Sequence, residues 1–202
     1  MSQSLPSFPE LVRETIQNPR GAAGRIIAQN YPASLMWEAL LLVVALSVLA
    51  GYAPMALLGP ADEEITVILP AVFTSPLWLA AVQGVLLALA VLAIHRIGRS
   101  FGGQGRFADA IALMAWLQLL MVLLQIVQAV LILLAPTFST LVGVAGVIAF
   151  FYLLTQFVCE LHGFSRPGVV FFGILVSMIG LIMLMSILLG LLGVGQMEIP
   201  DV

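Results

Sequence analysis

Long apolar runs separated by short polar segments dominate the pattern of this 202-residue chain. A helix needs about 20 apolar residues to cross a bilayer core of about 30 Å. The pattern therefore predicts an all-α, polytopic membrane bundle of five transmembrane helices. These run approximately over Leu35–Leu58, Leu77–Ile94, Ala110–Leu134, Phe138–Leu161 and Val169–Leu192.

A shorter apolar stretch, Ile65–Phe73, does not fit this scheme. As a helix it would rise only about 14 Å, and Pro70 interrupts it. We interpret it as an interfacial or re-entrant piece that leads into the second span, or as part of that span.

The sequence pattern of the N-terminal segment, residues 1–32, predicts two short amphipathic helices. Ser7 can cap the first, which ends at Asn18-Pro19, and the second covers about Arg20–Gln29. Their apolar faces suit the surface of a bilayer. The chain is thus divided into this segment, a five-helix membrane domain over residues 33–193 and a short tail over residues 194–202.

All seven basic residues are arginines, and they occupy alternate connecting segments. Basic residues near the ends of membrane helices remain on the cytoplasmic side. The distribution therefore predicts a cytoplasmic N-terminus and an external C-terminus. The arginines are Arg13, Arg20, Arg25, Arg96, Arg99, Arg106 and Arg166.

Composition supports a membrane location and narrows the function. Apolar residues make up 62 % and charged residues 8 % of the chain, against about 25 % charged residues in soluble domains. A net charge of −3 argues against nucleic acid binding. Cys159 is the single cysteine, which excludes an intrachain disulfide and favours a small buried apolar residue over a site of reversible acylation.

Several ionisable residues are predicted to share one depth near the cytoplasmic interface. Ionisable residues in spans are candidates for function, although here they could also form structural ion pairs. The alternatives are pairing with arginines or an ion, proton or ligand site, with Asp109 also suited to the start of its own helix. We expect Glu38 and Glu160 to point into the bundle. The candidate cluster comprises Glu38, Asp109, Glu160, His162, Arg96, Arg99 and Arg166.

Polar side chains also recur along the spans at helical spacing. They could line a permeation path, or they could form hydrogen bonds between helices. The lack of a charged residue deep in the bilayer favours the second interpretation. These residues are Gln83, Gln118, Gln125, Gln128, Tyr152 and Gln156.

Catalytic and cofactor signatures are absent from the sequence. The loop Gly102-Gly103-Gln104-Gly105 follows no strand and lacks the Lys-Ser/Thr ending of a phosphate-binding loop. A zinc site of two histidines and one glutamate, drawing on His95 and His162, remains an open alternative. We predict a non-enzymatic protein without a cofactor.

The order of segments resembles the Yip (Ypt/Rab-interacting protein) domain family in its bacterial form. The resemblance rests on Asn18-Pro19-Arg20, the loop Phe101–Phe107 and the segment Glu160–Ser165, with five spans around them. It implies a five-helix membrane domain. Eukaryotic relatives bind prenylated Rab-type GTPases through a longer cytoplasmic N-terminal region, so the short segment here does not favour that role.

The leading hypothesis is a protein that organises or adapts membrane components through its cytoplasmic face. A small transporter or channel and an accessory subunit of a larger complex are the alternatives. The expected partners are the lipid bilayer and another membrane protein or a second copy. The lack of lysine and the abundance of Ala, Gly and Leu favour a bacterial inner membrane as the location.

Overall fold

The computed structural model describes residues 7–58 and 75–191. Within these ranges the chain is helical and contains no strand. Its helices are α1 (Phe8–Gln17), α2 (Pro19–Ala28), α3 (Ala33–Leu58), α4 (Pro76–Ser100), α5 (Phe107–Leu134), α6 (Pro136–His162) and α7 (Pro167–Leu191).

Helices α3–α7 confirm the prediction of a multi-pass membrane protein, because each is long and apolar enough to cross a bilayer. Some of these helices are longer than the apolar runs in the sequence, because the polar residues that follow a run are also helical. Helix α4, for example, continues through Arg96 and Arg99 to Ser100. The stretch Ile65–Phe73 lies outside the described residues.

Helix α5 lies at the centre of the bundle. Eight consecutive residues, Ala108–Ala115, are buried, and a helix buried on every side must be surrounded by other elements. It packs against α3, α6, α4 and α2. The core therefore lies around the start of α5, where α4 and α6 end and α7 begins. This is the arginine-bearing end of the bundle.

The N-terminal helices form part of this core, which differs from the expectation that their apolar faces rest on the bilayer surface. Helix α2 packs against α6 and α5 as well as α1. Its residues Ala22 and Ala23 are fully buried, and Leu11 of α1 is also buried. These residues of α1 and α2 therefore pack against side chains of the bundle and not against the bilayer surface. Phe8 and Ile16, in contrast, remain exposed.

The predicted break between α1 and α2 is confirmed. The Ser7 backbone N–H donates to Glu10 Oε2 at 2.9 Å at the start of α1, and hydrogen bonds from the Ser7 side chain and backbone lower the pKa of the Glu10 carboxyl. The Asn18 side chain accepts from the Gly21 backbone N–H at 3.1 Å. Pro19 then opens α2 at a position where its missing N–H costs nothing.

The orientation in the membrane remains a prediction that labelling can test. With Cys159 replaced by alanine, we expect a membrane-impermeant thiol reagent applied to intact cells to label Thr137→Cys but not Gln104→Cys. Both positions are exposed and lie just beyond opposite ends of α5, Gln104 in the loop before it and Thr137 at the start of α6. The arginines occupy the Gln104 side. If the reagent labelled Gln104→Cys and not Thr137→Cys, the orientation would be the opposite of the predicted one.

Candidate functional site: a histidine enclosed at the arginine-bearing end

His162, the last residue of α6, is enclosed between α4 and the loop that follows it. It is 4 % exposed. The Gly105 backbone N–H donates to His162 Nδ1 at 3.3 Å, and His162 Nε2 lies 3.1 Å from the Ile94 carbonyl oxygen. A backbone N–H can only donate and a carbonyl can only accept. These partners together select the neutral imidazole with its proton on Nε2.

Two glycines make room for this ring, and a third makes room for the residue before it. A Cβ atom added at Gly98 or Gly103 would overlap the His162 imidazole. A Cβ atom at Gly105 would lie 2.6 Å from Leu161 Cγ and 2.8 Å from the Leu161 carbonyl oxygen. The glycine-rich loop is therefore a close-fitting cover for the end of α6, a role that the sequence analysis missed.

Helix α6 ends in a way that holds the histidine in place. Gly163 adopts φ +72°, the left-handed conformation that commonly terminates a helix. The Phe164 backbone N–H then donates to the Cys159 carbonyl oxygen at 2.8 Å. This turn stacks the Phe164 ring on His162, with 5.4 Å between ring centres.

An aromatic cluster joins three further helix ends beside this site. The Phe107 ring lies 5.4 Å from that of His95 and 6.3 Å from that of Trp37. These contacts join the start of α3, the end of α4 and the start of α5. His95 Nδ1 is buried and has no hydrogen-bond partner among the described residues.

The N-terminal helices are bonded to the same end of the bundle. Arg20 Nε of α2 donates to Gln156 Oε1 of α6 at 2.7 Å. Trp116 Nε1 of α5 donates to Thr15 Oγ1 of α1 at 3.0 Å, and Thr15 is fully buried. Polar groups of α1 and α2 are thus paired with groups of the spans.

The candidate ionisable cluster is not a single ion-paired group. Asp109 is buried and lies 3.9 Å from Arg106, a residue outside the predicted set. Glu38 and Glu160 do not point into the bundle as expected, because both side chains are exposed. Glu160 lies beside Gly24 of α2, where an added Cβ atom would lie 3.2 Å from its Oε1.

The predicted arginine partners are exposed. Within residues 7–58 and 75–191 the ion pairs are Arg25–Glu14 at 3.1 Å and Arg106–Asp109. Arg96, Arg99 and Arg166 belong to neither pair and project from the surface. They remain available to anionic groups outside the chain.

Most of the polar span residues form hydrogen bonds between helices. Gln83 Nε2 of α4 donates to Ser47 Oγ of α3 at 3.0 Å, and Gln118 Nε2 of α5 donates to the same oxygen at 3.5 Å. The Gln128 Nε2 of α5 donates to the Ser139 carbonyl oxygen of α6, also at 3.5 Å. Three helices are thus joined through the buried Ser47 hydroxyl.

The remaining residues of this set differ from one another. Gln156 accepts the Arg20 bond. Gln125 Oε1 is buried and unpaired within the described part of the chain, and Tyr152 is half exposed.

An open apolar groove lies beside the histidine, between α4 and α7, with α6 as its floor. We call it the α4–α7 groove. Its volume is about 910 Å³, within the range of ligand pockets in general. Ile94, Gly98 and Phe164 contribute both to the groove and to the surroundings of His162.

His162 and Cys159, two groups with a ligating or nucleophilic atom, are both buried. No group of three or more His, Cys, Asp or Glu side chains lies close enough for a metal ion among the residues that the structure describes. Both His162 nitrogens already have backbone partners. Cys159 is 1 % exposed, as expected for a buried apolar residue.

The model of the Yip1 domain matches residues 13–187, which include the five candidate membrane spans found among the described residues. No curated protein and no solved structure matches the chain. Two of the three segments that carry the resemblance, Phe101–Phe107 and Glu160–Ser165, contact each other at His162. The chain belongs to the Yip1 domain family.

Proposed function

We propose that this protein organises or adapts other membrane components through its arginine-bearing end, which faces the cytoplasm, and that it is not an enzyme. The observation that carries the proposal is the attachment of α1 and α2 to the bundle. The Arg20–Gln156 and Trp116–Thr15 hydrogen bonds join N-terminal helices and spans into one face. A rigid composite face presents a fixed pattern of groups to a partner.

The charges on that face indicate an anionic partner surface. Arg13, Arg96, Arg99 and Arg166 are exposed and lie outside the ion pairs of the described residues. Exposed charges contribute mainly to the rate and specificity of association. An acidic patch on a membrane protein, with the headgroups around it, would complement them.

A transporter or channel is the alternative function, and the polar residues of the spans argue against it. A transporter binds its solute near the middle of the bilayer, where polar groups replace water. Gln83, Gln118 and Gln128 instead bond to neighbouring helices. The α4–α7 groove offers almost purely apolar walls.

Charge reversal on the proposed face tests the organiser function. We expect wild-type protein, cross-linked in native membranes and purified in mild detergent, to carry a defined set of membrane proteins. Arg96→Glu with Arg99→Glu should deplete that set several-fold. Thr137→Glu adds negative charge at the opposite, exposed end and serves as the control. A set unchanged by the arginine substitutions would contradict the proposal.

Flux measurements distinguish the organiser function from the alternative of a transporter or channel. In liposomes the purified protein should leave proton, sodium, potassium and divalent-cation permeability at the background of empty vesicles. Flux that disappears with Gln118→Leu would establish transport and overturn the organiser function.

A further inference from the structure

The α4–α7 groove has the composition of a binding site for a hydrocarbon chain. It is lined by residues of α4, α6 and α7, and Met114 is the residue that α5 contributes. The polar residues on its lining are Ser165, Arg166 and Ser177, and the Ser177 hydroxyl already donates to the Gly173 carbonyl oxygen at 2.7 Å. The lining side chains of the deeper part therefore offer a polar solute no free hydrogen-bond donor.

The length of the groove matches one leaflet of a bilayer. Along α4 it extends from Phe101 to Leu87, a rise of about 21 Å at 1.5 Å per residue. Along α7 it extends from Val169 to Leu181, about 18 Å. Half of the bilayer core is about 15 Å. A lipid tail that enters at headgroup level would therefore follow the groove to the middle of the membrane.

The single charged residue of the groove lies at its mouth. Arg166 immediately precedes α7, is exposed, and takes part in neither of the ion pairs within the described ranges. A guanidinium group binds phosphate through two parallel hydrogen bonds. Its place at the helix end puts this group at the level of the phosphates, while the apolar lining begins directly below it.

We propose that the α4–α7 groove binds one anionic phospholipid, with its phosphate on Arg166 and an acyl chain between α4 and α7. The lone positive charge favours an anionic headgroup over a zwitterionic one, which carries its own cation. Because the bound chain would contact Ile94, Gly98 and Phe164, the lipid would also contact the walls of the His162 site.

Lipid titration followed by native mass spectrometry of the full chain in detergent tests the proposal. The probes are phosphatidylglycerol and phosphatidylcholine with identical acyl chains. We expect wild-type protein to bind one phosphatidylglycerol about tenfold more tightly than phosphatidylcholine. Arg166→Gln should remove this preference, since a charge-assisted hydrogen bond would be lost. Arg99→Gln, at an exposed arginine outside the groove, should retain it.

A second pair of variants tests the groove itself. Gly173 lines the groove, and a side chain added there would meet open space. Gly173→Leu should therefore block the tail and weaken binding of both lipids. Gly180→Leu, on the same helix but outside the groove, also points into open space and should leave binding unchanged. Equal affinity of Arg166→Gln and wild type for phosphatidylglycerol would overturn the inference, as would a lipid-free dimer that Gly173→Leu dissociates.

Discussion

Replacing Gly98 with alanine should lower the free energy of unfolding by about 1–3 kcal/mol, although alanine is the better helix former. The new methyl group would occupy the space of the His162 imidazole. The ring cannot move away without breaking its bonds to Gly105 and Ile94. Thermal unfolding of the purified protein in detergent measures the loss.

Gly84 provides the matched control, because it lies in the middle of the same helix with nothing within 4 Å of an added Cβ atom. Gly84→Ala should stabilise the protein by about 0.5–1 kcal/mol through helix propensity alone. In a double mutant, His162→Ala should relieve part of the Gly98→Ala cost, so that the two changes are less than additive. Equal unfolding midpoints for Gly98→Ala and Gly84→Ala would refute the close fit around the ring.

The helices could be predicted from the sequence because they depend on patterns local in the chain. An apolar run of about 20 residues specifies a span wherever it occurs. The Asn18-Pro19 break follows from backbone chemistry of two adjacent residues. Family membership could be predicted as well, since it rests on the order of segments and not on contacts between them.

The histidine site could not be predicted, because its parts lie far apart in the chain. His162 is separated from Gly98 by more than 60 residues. The sequence around either residue does not indicate that the two are in contact. One signal was available in the sequence. Gly98, near the end of α4, and Gly103 and Gly105, in the loop after it, lie at the depth predicted for His162. Glycines near one bulky residue at equal depth indicate close approach of two backbones, which periodicity does not detect.

The positions of Glu38 and Glu160 show that the orientation of a side chain could not be predicted from its depth in the membrane. Equal depth was predicted to bring them together inside the bundle, but depth fixes only one coordinate. The direction of a side chain around its helix depends on packing. At a helix end a carboxylate can reach headgroups and water, so exposure costs little. The expectation of inward orientation applies to charges near the middle of a membrane.

The attachment of α1 and α2 should depend strongly on Arg20, whose Nε donates to Gln156. A hydrogen bond to a charged group contributes about 1.5–3 kcal/mol, which corresponds to about 10- to 100-fold in the equilibrium for detachment of α2. Cys159, the one thiol of the chain, lies one turn from Gln156 on α6, is 1 % exposed and interacts electrostatically with Arg20. Labelling of the native cysteine therefore reports detachment without an engineered probe.

We accordingly expect Arg20→Met to increase the rate of Cys159 labelling in detergent about 10- to 100-fold. Gln156→Leu removes the same bond from the other side, leaves Arg20 in place and should produce an increase of similar size. Arg13→Met is the matched control, because Arg13 is exposed on α1 and outside the ion pairs of the described residues. If Arg20→Met accelerated labelling and Gln156→Leu did not, Arg20 would merely shield the thiol. If both variants increased the rate equally and Arg13→Met did not, the Arg20–Gln156 bond would hold the N-terminal helices on the bundle and complete the face that we propose for partner recognition.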